Sequence, residues 1–591
     1  MYMNKIEYDI LNTLDKKTYV TQRILAEESG YSVGIVNRSV KLLREHGLLD
    51  DQMQLTQAAH KILNENKTKN AIILAAGFGM RMVPINVETS KGLLEVNGQP
   101  LIERTICQLQ EACIENIYIV VGYMKEKYEY LMDKYNVKLL VNPEYSSKNN
   151  LHSLKYAMKY LPNSYIIPCD IWCRQNPYSQ HEFYSWYMVS DKLDSSSDIR
   201  ANRKMQLVSS KNKPGNVMLG ICYLDKTMAS IVQKRMSQFM EDKHYNDSFW
   251  EETLYEGSDM LPNAKVVSES DVIEINTYEQ LRELDGSSKQ LQTSAILTIA
   301  NTMNVSVNEI SNITALKKGM TNRSFLFECN GEKFIMRIPG EGTDQLINRY
   351  EEADVYSQIG GKNICDDVYY MNPENGYKIT KYLEDARVCD PLNVSDLERC
   401  MKKLREFHNR KLQVAHTFDI WKQIDFYESL WTAPSAYSDY VTTKKNVFSL
   451  KQFVDDHKEP YVLTHIDAVP DNFLFTKDKE VPIRLIDWEY AGMQDPRVDI
   501  AMFCIYSLYD REQVDQLIDL YFQNQCSEDT RFKIYCYIAM CGLLWSNWCE
   551  YKRQLGVEFG EYSLRQYRYA KEYYRIVQKR LLEMEDESCM L

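Results

Sequence analysis

LAAGFGMRM, Leu74 to Met82, follows directly on the apolar run Ala71–Ala75. A strand here delivers the chain into a loop with glycines at 77 and 79. Without side chains at these positions, backbone N–H groups can approach phosphate oxygens and point at them. Arg81 brings a cation to the same loop, and Lys91 follows in Ser90-Lys-Gly-Leu-Leu94. The spacing is neither GxxxxGK[ST] nor GxGxxG, because Arg81 and Met82 follow Gly79 with no third glycine. Outward from this loop, the strand-like runs YIVVG, KLLVN and YIIPCD alternate with helical ones. Such alternation predicts βαβ units around a mainly parallel sheet. Asp170 ends the last run, at a strand's C-terminal edge, where the ligand crevice of an α/β sheet lies.

The loop, the lysine and the strand-end acid, in that order, resemble the sugar-1-phosphate and phosphocholine nucleotidyltransferase superfamily over about residues 70–285. The resemblance implies a Rossmann-like nucleotidyltransferase α/β sheet, assigned to residues 68–288. It implies nucleotide binding by Ala76, Gly77, Gly79, Asn149 and Asn150, with Arg81 and Lys91 as catalytic cations. It also implies Mg²⁺ at Asp170 and Asn276, the latter an amide at the family's second metal position. The family often has Pro-Lys-Pro where this chain has Ser-Lys-Gly. The implied chemistry is attack of the phosphocholine phosphate on the α-phosphorus of CTP, with pyrophosphate leaving. The nucleophile is already anionic, so positioning and charge neutralisation carry the rate. A trimethylammonium group calls for aromatic faces within about 6 Å. Trp172, Tyr223 and Trp250 are the candidates; Trp250 lies in SFWEETLY, a stretch resembling the acceptor region of phosphocholine cytidylyltransferases.

A second motif stands at Thr464-His465-Ile466-Asp467 through Asn472, an HxDxxxxN pattern, followed by Ile486-Asp487-Trp488-Glu489-Tyr490. This is the logic of phosphoryl transfer: Asp467 orients the substrate hydroxyl, and Asn472 and Asp487 hold Mg²⁺ against the nucleotide phosphates. Strand-like pieces (ISNITAL, SFLFECN, KFIMRIP) precede long helical stretches after Asn393. That order predicts a two-lobed protein kinase-like architecture over residues 289–591. IDWEYAG, Asp499-Ile-Ala and the upstream GMTNRSFLF resemble the choline and ethanolamine kinase family, within the aminoglycoside phosphotransferase group. The resemblance implies ATP as donor, Asn322 in the nucleotide-covering turn, Arg337 in place of the kinase strand lysine, and an acid partner for it, Glu351 in preference to Glu352. It implies a hinge at Lys381-Tyr382-Leu383, with Lys381 and Leu383 touching adenine through backbone groups. Trp545 and Trp548 lie three residues apart on one helix face. The family holds its quaternary ammonium with such a pair, completed here by Tyr490 and either Tyr562 or Tyr569.

The first 67 residues read as amphipathic helices at Ile6–Leu14, Thr21–Glu28 and Val33–His46, with apolar residues at helical spacing and Gly30 and Gly47 at helix ends. They resemble a winged helix-turn-helix. If this segment bound DNA, Ser32, Asn37, Arg38, Lys41 and Arg44 would face the groove. Its charges are nearly balanced, however, and phosphate contacts dominate DNA affinity. Domain packing or homodimerisation is the alternative use. Over the 591 residues the formal net charge is −13, which argues against a general nucleic-acid or anionic-membrane binder. The chain has no apolar run long enough to span a bilayer and no signal-like N-terminus, so a cytoplasmic enzyme is expected. The 15 cysteines are scattered without paired CxxC motifs. The combined expectation is a bifunctional enzyme that phosphorylates choline and couples phosphocholine to CMP. Ethanolamine in place of choline, and UTP in place of CTP, remain open. The rivals are a sugar kinase fused to a sugar-1-phosphate nucleotidyltransferase, and a DNA-binding sensor of choline metabolites.

Overall fold

The computed structural model describes residues 3–17, 19, 21–316, 322–340, 346–557 and 559–589, the side chains of 584–589 excepted. Gly319–Thr321 of the GMTNRSFLF motif lie outside the described residues. The chain divides into two compact units, Met1–Thr293 and Ser294–Leu591. The division falls a few residues later than the expected 288/289 boundary. The polar stretch after Asp285 is packed rather than free. Asp285 accepts from the Asn97 N–H (2.7 Å), and Gln290 accepts from the Glu95 N–H (2.8 Å) and donates to the Leu93 carbonyl (3.0 Å). Small polar residues suit a capped turn as well as a linker.

In the first unit, a seven-stranded sheet runs in the order Asn263–Val267, Trp186–Asp194, Gly215–Leu224, Ser164–Pro168, Asn70–Ala75, Asn116–Val121, Lys138–Val141. Four of its six pairings are parallel, and only the two made by Gly215–Leu224 are antiparallel. Leu74 lies opposite Pro168, so the glycine loop and Asp170 leave the sheet at the same edge. The central strands are apolar on both faces, as a sheet covered on both sides requires.

Helices Lys5–Lys16, Gln22–Ser29, Val33–Glu45 and Gln57–Glu65 form the winged helix, with a minimal wing at the Leu49–Leu55 bridge. It packs on the nucleotidyltransferase segment through Tyr8 stacked on Phe183 (4.5 Å between centroids), Tyr184 donating to Asp9 (2.7 Å) and His181 bonded to Asp15 (2.8 Å). Two of the residues expected to face a DNA groove also have structural work. The Ser32 side chain caps Val33–Glu45, and Arg44 donates to the Asp50 and Asp51 carbonyls at the wing.

The second unit opens with an antiparallel five-stranded sheet, in the order Ser311–Ala315, Asn322–Cys329, Glu332–Pro339, Lys378–Lys381, Val368–Met371, together with helix Arg349–Ile359. A helical lobe follows around Glu528–Gln554. That helix is buried on every face from Lys533 to Glu550, which explains why no amphipathic stripe marks it. No helix among the described residues is long and apolar enough to cross a membrane.

Helix Glu528–Gln554 packs closely on Glu561–Cys589 at Gly542, where an added Cβ would lie 2.8 Å from both the Gln566 carbonyl oxygen and the Tyr569 Cβ. Gly542→Val is therefore expected to destabilise the second unit by about 2 kcal/mol through overpacking. Differential scanning calorimetry checks this, and an unshifted thermogram would contradict the tight crossing.

Candidate active sites

The first unit's site is built at the sheet edge shared by the glycine loop and Asp170. Gly79 adopts a left-handed backbone (φ 60°) and lies over Lys91, whose Cβ would be 3.4 Å from a side chain placed there. Lys91 starts a short 3₁₀ turn, Lys91–Leu93, and its ammonium contacts the Asp170 carboxylate and the Asn276 carbonyl oxygen (2.7 Å). Arg81 donates to the same Asn276 oxygen (2.7 Å). The structure thus gathers Arg81, Lys91, Asp170 and Asn276. Among the described residues the second carboxylate oxygen of Asp170 is buried without a hydrogen-bond partner, so this carboxylate has coordination capacity to spare for a cation. The Ser-Lys-Gly departure has a local cause. Ser90 bonds to the buried Tyr128 hydroxyl (2.5 Å), and Gly92 lies where a Cβ would press on that hydroxyl (3.0 Å) and on Cys169 (3.1 Å).

Ala76 joins the loop to the sheet, its carbonyl accepting from the Tyr123 N–H (3.0 Å), and Gly77 faces open space. Asn149 and Asn150 bind the loop that carries Trp250: Asn149 donates to the Asp247 carbonyl (2.8 Å), and Asn150 accepts from the Trp250 N–H (2.8 Å).

Two of the three aromatics expected to form a cage in this unit, Tyr223 and Trp250, belong to the core. Tyr223 is fully buried, paired in register with Tyr165 at the strand end away from Asp170, about 16 Å off at strand rise. Trp250 is core, 1% exposed, beside Tyr187. Trp172 sits at the site edge with the Arg104 guanidinium 5.3 Å from its ring centre. Sequence reasoning assigned cation recognition to aromatics and gave no such role to two half-buried acids. Burial pushes Glu251 up to about 7, against bonds from Tyr187 and Asn150, and one of its oxygens has no partner. Burial and then the Asp170 charge raise Glu274. The signal was present in the neighbouring letters, as Trp250-Glu251 and Glu274-Ile-Asn276.

In the second unit, Asp467, Asn472 and Asp487 converge as the motif requires. Asn472 donates to the Asp467 carboxylate (3.1 Å) and carbonyl (2.8 Å), and the Ile486 N–H donates to the Asn472 carbonyl (2.9 Å). Ile466 and Asp487 both take left-handed backbone (φ 69° and 65°), strain that non-glycine residues keep at functional loops. Burial, then the Asp487 and Glu489 charges, pushes Asp467 up to about 8. A cavity of about 780 Å³ contains this cluster together with Arg337 and Asn322. Its floor is anchored by Asp499, which accepts from the backbone N–H groups of His465 (3.0 Å) and Ile466 (2.7 Å) and bonds to His408 (2.9 Å). Burial holds His465 down at about 4, so it is a neutral spacer bonded to the Ile486 carbonyl.

The partner of Arg337 is Glu352, not Glu351. The helix starts at Arg349, so Glu352 shares the inward face with Tyr356 and Ile359 while Glu351 points to solvent. Burial alone would raise Glu352; the charges of Arg337, Lys378 and Arg349 overcome this and hold it at about 2. The Lys381 side chain also points outward, to Glu332 (2.8 Å), and the cavity wall on this strand is Lys378 and Thr380. Neither Lys381 nor Leu383 lines the cavity.

The other end of the same cavity is aromatic. Tyr490 meets Trp545 edge-on (5.9 Å, 88°), Trp545 meets Trp548 (5.5 Å, 77°), and Phe559, Tyr562 and Tyr506 continue the ring. Of the two candidate tyrosines, Tyr562 lines the cavity. Tyr569 is buried and donates to the Tyr509 carbonyl (2.6 Å).

The Arg337–Glu352 pair can be checked by stability alone. Glu352→Ala leaves Arg337 and Arg349 buried without their acid and is expected to cost about 3–5 kcal/mol. Glu351→Ala, at the exposed neighbour, is expected to stay within about 0.5 kcal/mol. Chemical denaturation distinguishes them, and equal losses would contradict the assignment.

Family models match three segments: winged helix-turn-helix DNA-binding over residues 3–50, the MobA-like NTP transferase domain over 71–179, and choline/ethanolamine kinase over 313–538. Choline-phosphate cytidylyltransferase of Streptococcus pneumoniae is 30% identical over 220 residues, covering 36% of this chain and 96% of that protein. 2-Aminoethylphosphonate cytidylyltransferase of Lancefieldella rimae is 32% identical over 203 residues, 32% of this chain and 80% of that protein. Protein LicA of Haemophilus influenzae is 28% identical over 260 residues, 42% of this chain and 95% of that protein. A glycine loop with its strand-end acid and a kinase-type Asp–Asn–Asp cluster therefore share one polypeptide, and the chain belongs to the choline-phosphate cytidylyltransferase family through its first unit and carries a choline/ethanolamine kinase domain in its second.

Proposed function

We propose that the second unit phosphorylates choline with ATP and that the first unit transfers CMP from CTP to the resulting phosphocholine. The observation that carries the reading is the shared cavity in which the aromatic ring of Tyr490, Trp545 and Trp548 opens onto Asp467, Asn472 and Asp487. A trimethylammonium group cannot donate hydrogen bonds and is best met by aromatic faces in a desolvated pocket. An alcohol held at that end presents its hydroxyl to Asp467.

In the kinase step the hydroxyl oxygen bonds to the γ-phosphorus of ATP, the bond to the ADP oxygen breaks, and Asp467 receives the hydroxyl proton. A carboxyl whose ionised form is already disfavoured by burial is poised to accept it. Arg337, fixed by Glu352, faces the phosphates. In the cytidylyl step a phosphate oxygen of phosphocholine bonds to the α-phosphorus of CTP and pyrophosphate leaves. Arg81 and Lys91 meet the phosphate charge from the glycine loop. Mg²⁺ would be held by Asn472 and Asp487 in one unit and by Asp170 and Asn276 in the other, and would supply further neutralisation of phosphate charge. One or two protein oxygens per ion, completed by phosphate and water, is the usual Mg²⁺ arrangement.

The acceptor end of the first unit favours a second reading of its substrate. Two acids (Glu251, Glu274) stand there beside one accessible aromatic, Trp172, and carboxylates suit a primary ammonium as well as a quaternary one. Phosphoethanolamine and 2-aminoethylphosphonate are accordingly the competing acceptors. Comparing kcat/KM for the three decides it: a clear preference for phosphocholine supports a matched pair of activities, and a preference for a primary amine assigns the first unit to another pathway.

Mass spectrometry of purified protein with choline, ATP, CTP and Mg²⁺ tests the whole. CDP-choline should form only with both nucleotides. Asp467→Ala should abolish phosphorylation and spare cytidylyl transfer from supplied phosphocholine, and Asp170→Ala should do the reverse. Either variant abolishing both activities while folded would refute two independent sites. Trp545→Ala should raise the choline KM by about 10–30-fold, the loss of a desolvated cation–π contact. An unchanged KM would remove the aromatic ring from the choline site.

A further inference from the structure

Arg349 is buried, 6% exposed, at the start of helix Arg349–Ile359, and nothing in the phosphoryl-transfer motif assigns it. Its guanidinium reaches three separate elements. One terminal nitrogen donates to Glu352 (2.8 Å) and to Glu489 (3.1 Å), and the other donates to Asn322 (3.1 Å). The triangle closes on itself, because Asn322 donates to the same Glu489 oxygen (3.0 Å). Glu489 lies two residues beyond Asp487, and Asn322 begins the strand that runs antiparallel to the one carrying Arg337. Both line the cavity beside Arg337 and Asp487.

Resting on the kinase reading above, we propose that Arg349 is a positioning residue for the nucleotide. It fixes the wall formed by Asn322 and Glu489 around the place where the phosphates bind, and it cancels acid charge that would otherwise repel them. The planar fork is needed for this, since three acceptors on three elements are met at once, which an ammonium on a flexible stem does not reproduce. The packing around it fits that role. At Gly376 (φ 68°) an added Cβ would lie 3.2 Å from the Arg349 Nε and closer still to Pro339, so the guanidinium passes through space that a side chain would fill.

The two substrates should respond differently to its loss. Without Arg349, Glu352 and Glu489 leave the nucleotide end more negative, which disfavours an anionic triphosphate and does not disfavour a cationic alcohol. Arg349→Met should raise the KM for ATP by about tenfold or more, the loss of a charge-assisted hydrogen bond. The choline KM should stay within about twofold, as expected when only one substrate's contacts are lost. Arg349→Lys, which keeps the charge and loses the fork, should fall between, and calorimetric titration with ATP in the absence of choline should show the same order. Parallel rises in both KM values, or an unchanged ATP KM, would overturn the inference. If Arg349→Met does not fold, Arg349→Lys decides alone by the same split. Failure of the unaltered protein to phosphorylate choline would remove the kinase reading itself, an outcome distinct from an active protein whose ATP KM ignores Arg349.

Discussion

Buried carboxylates have to be compensated, and both sites are arranged around that constraint. In the second unit Glu352 has no solvent contact and stands between Arg337, Arg349 and Lys378. Its charge survives burial only because three cations share it. That cluster sets the position of helix Arg349–Ile359 and the direction of Arg337, and it brings Glu489 and Asn322 to the cavity wall. Among the described residues Asp467 has no such cation against it, and burial with the neighbouring Asp487 and Glu489 charges raises its proton affinity. In the first unit the same compensation is visible on a smaller scale: Lys91 rests against Asp170, leaving one carboxylate oxygen without a bond.

The second constraint is the backbone of the kinase loop. HxDxxxxN needs Ile466 in a left-handed conformation, and such strain persists only where surroundings over-determine it. Asp499 provides this by accepting the consecutive N–H groups of His465 and Ile466, with His408 and Tyr521 bonded behind it. Trp488, fully buried against His465, closes the other side. The loop that presents Asp467 is thus held by residues far apart in the chain, several of which would look like ordinary helix residues in isolation.

The proposed cation-binding ends of the two sites are lined differently. The kinase cavity offers a ring of aromatic edges and faces along a helix that is buried all round. The nucleotidyltransferase acceptor region offers Glu251 and Glu274. Trp250 and Tyr223 belong to the core, where Tyr187 and Tyr165 pack on them. A tryptophan beside a glutamate in sequence leaves both residues as candidates. The register of the sheet and the burial of the loop decide which of them faces the site.

Much of the chemistry is legible in the amino-acid sequence alone. Within LAAGFGMRM and within HxDxxxxN, short spacings become proximity through backbone geometry, and the strand ends of the expected parallel sheet bring Lys91 and Asp170, 79 positions apart, to the same edge. The order of strands and helices likewise follows from local periodicity. Three matters needed tertiary structure. Glu352 rather than Glu351 pairs with Arg337 because the start of the helix at Arg349 determines which acid turns inward. Tyr562 rather than Tyr569 joins the aromatic ring because of the way helix Glu561–Cys589 crosses helix Glu528–Gln554. Tyr223 and Trp250 lose the role expected of them because an aromatic side chain serves a core as readily as a cation. Local sequence determines what a residue is able to do; burial, which depends on contacts between distant segments, decides which of those capacities is used.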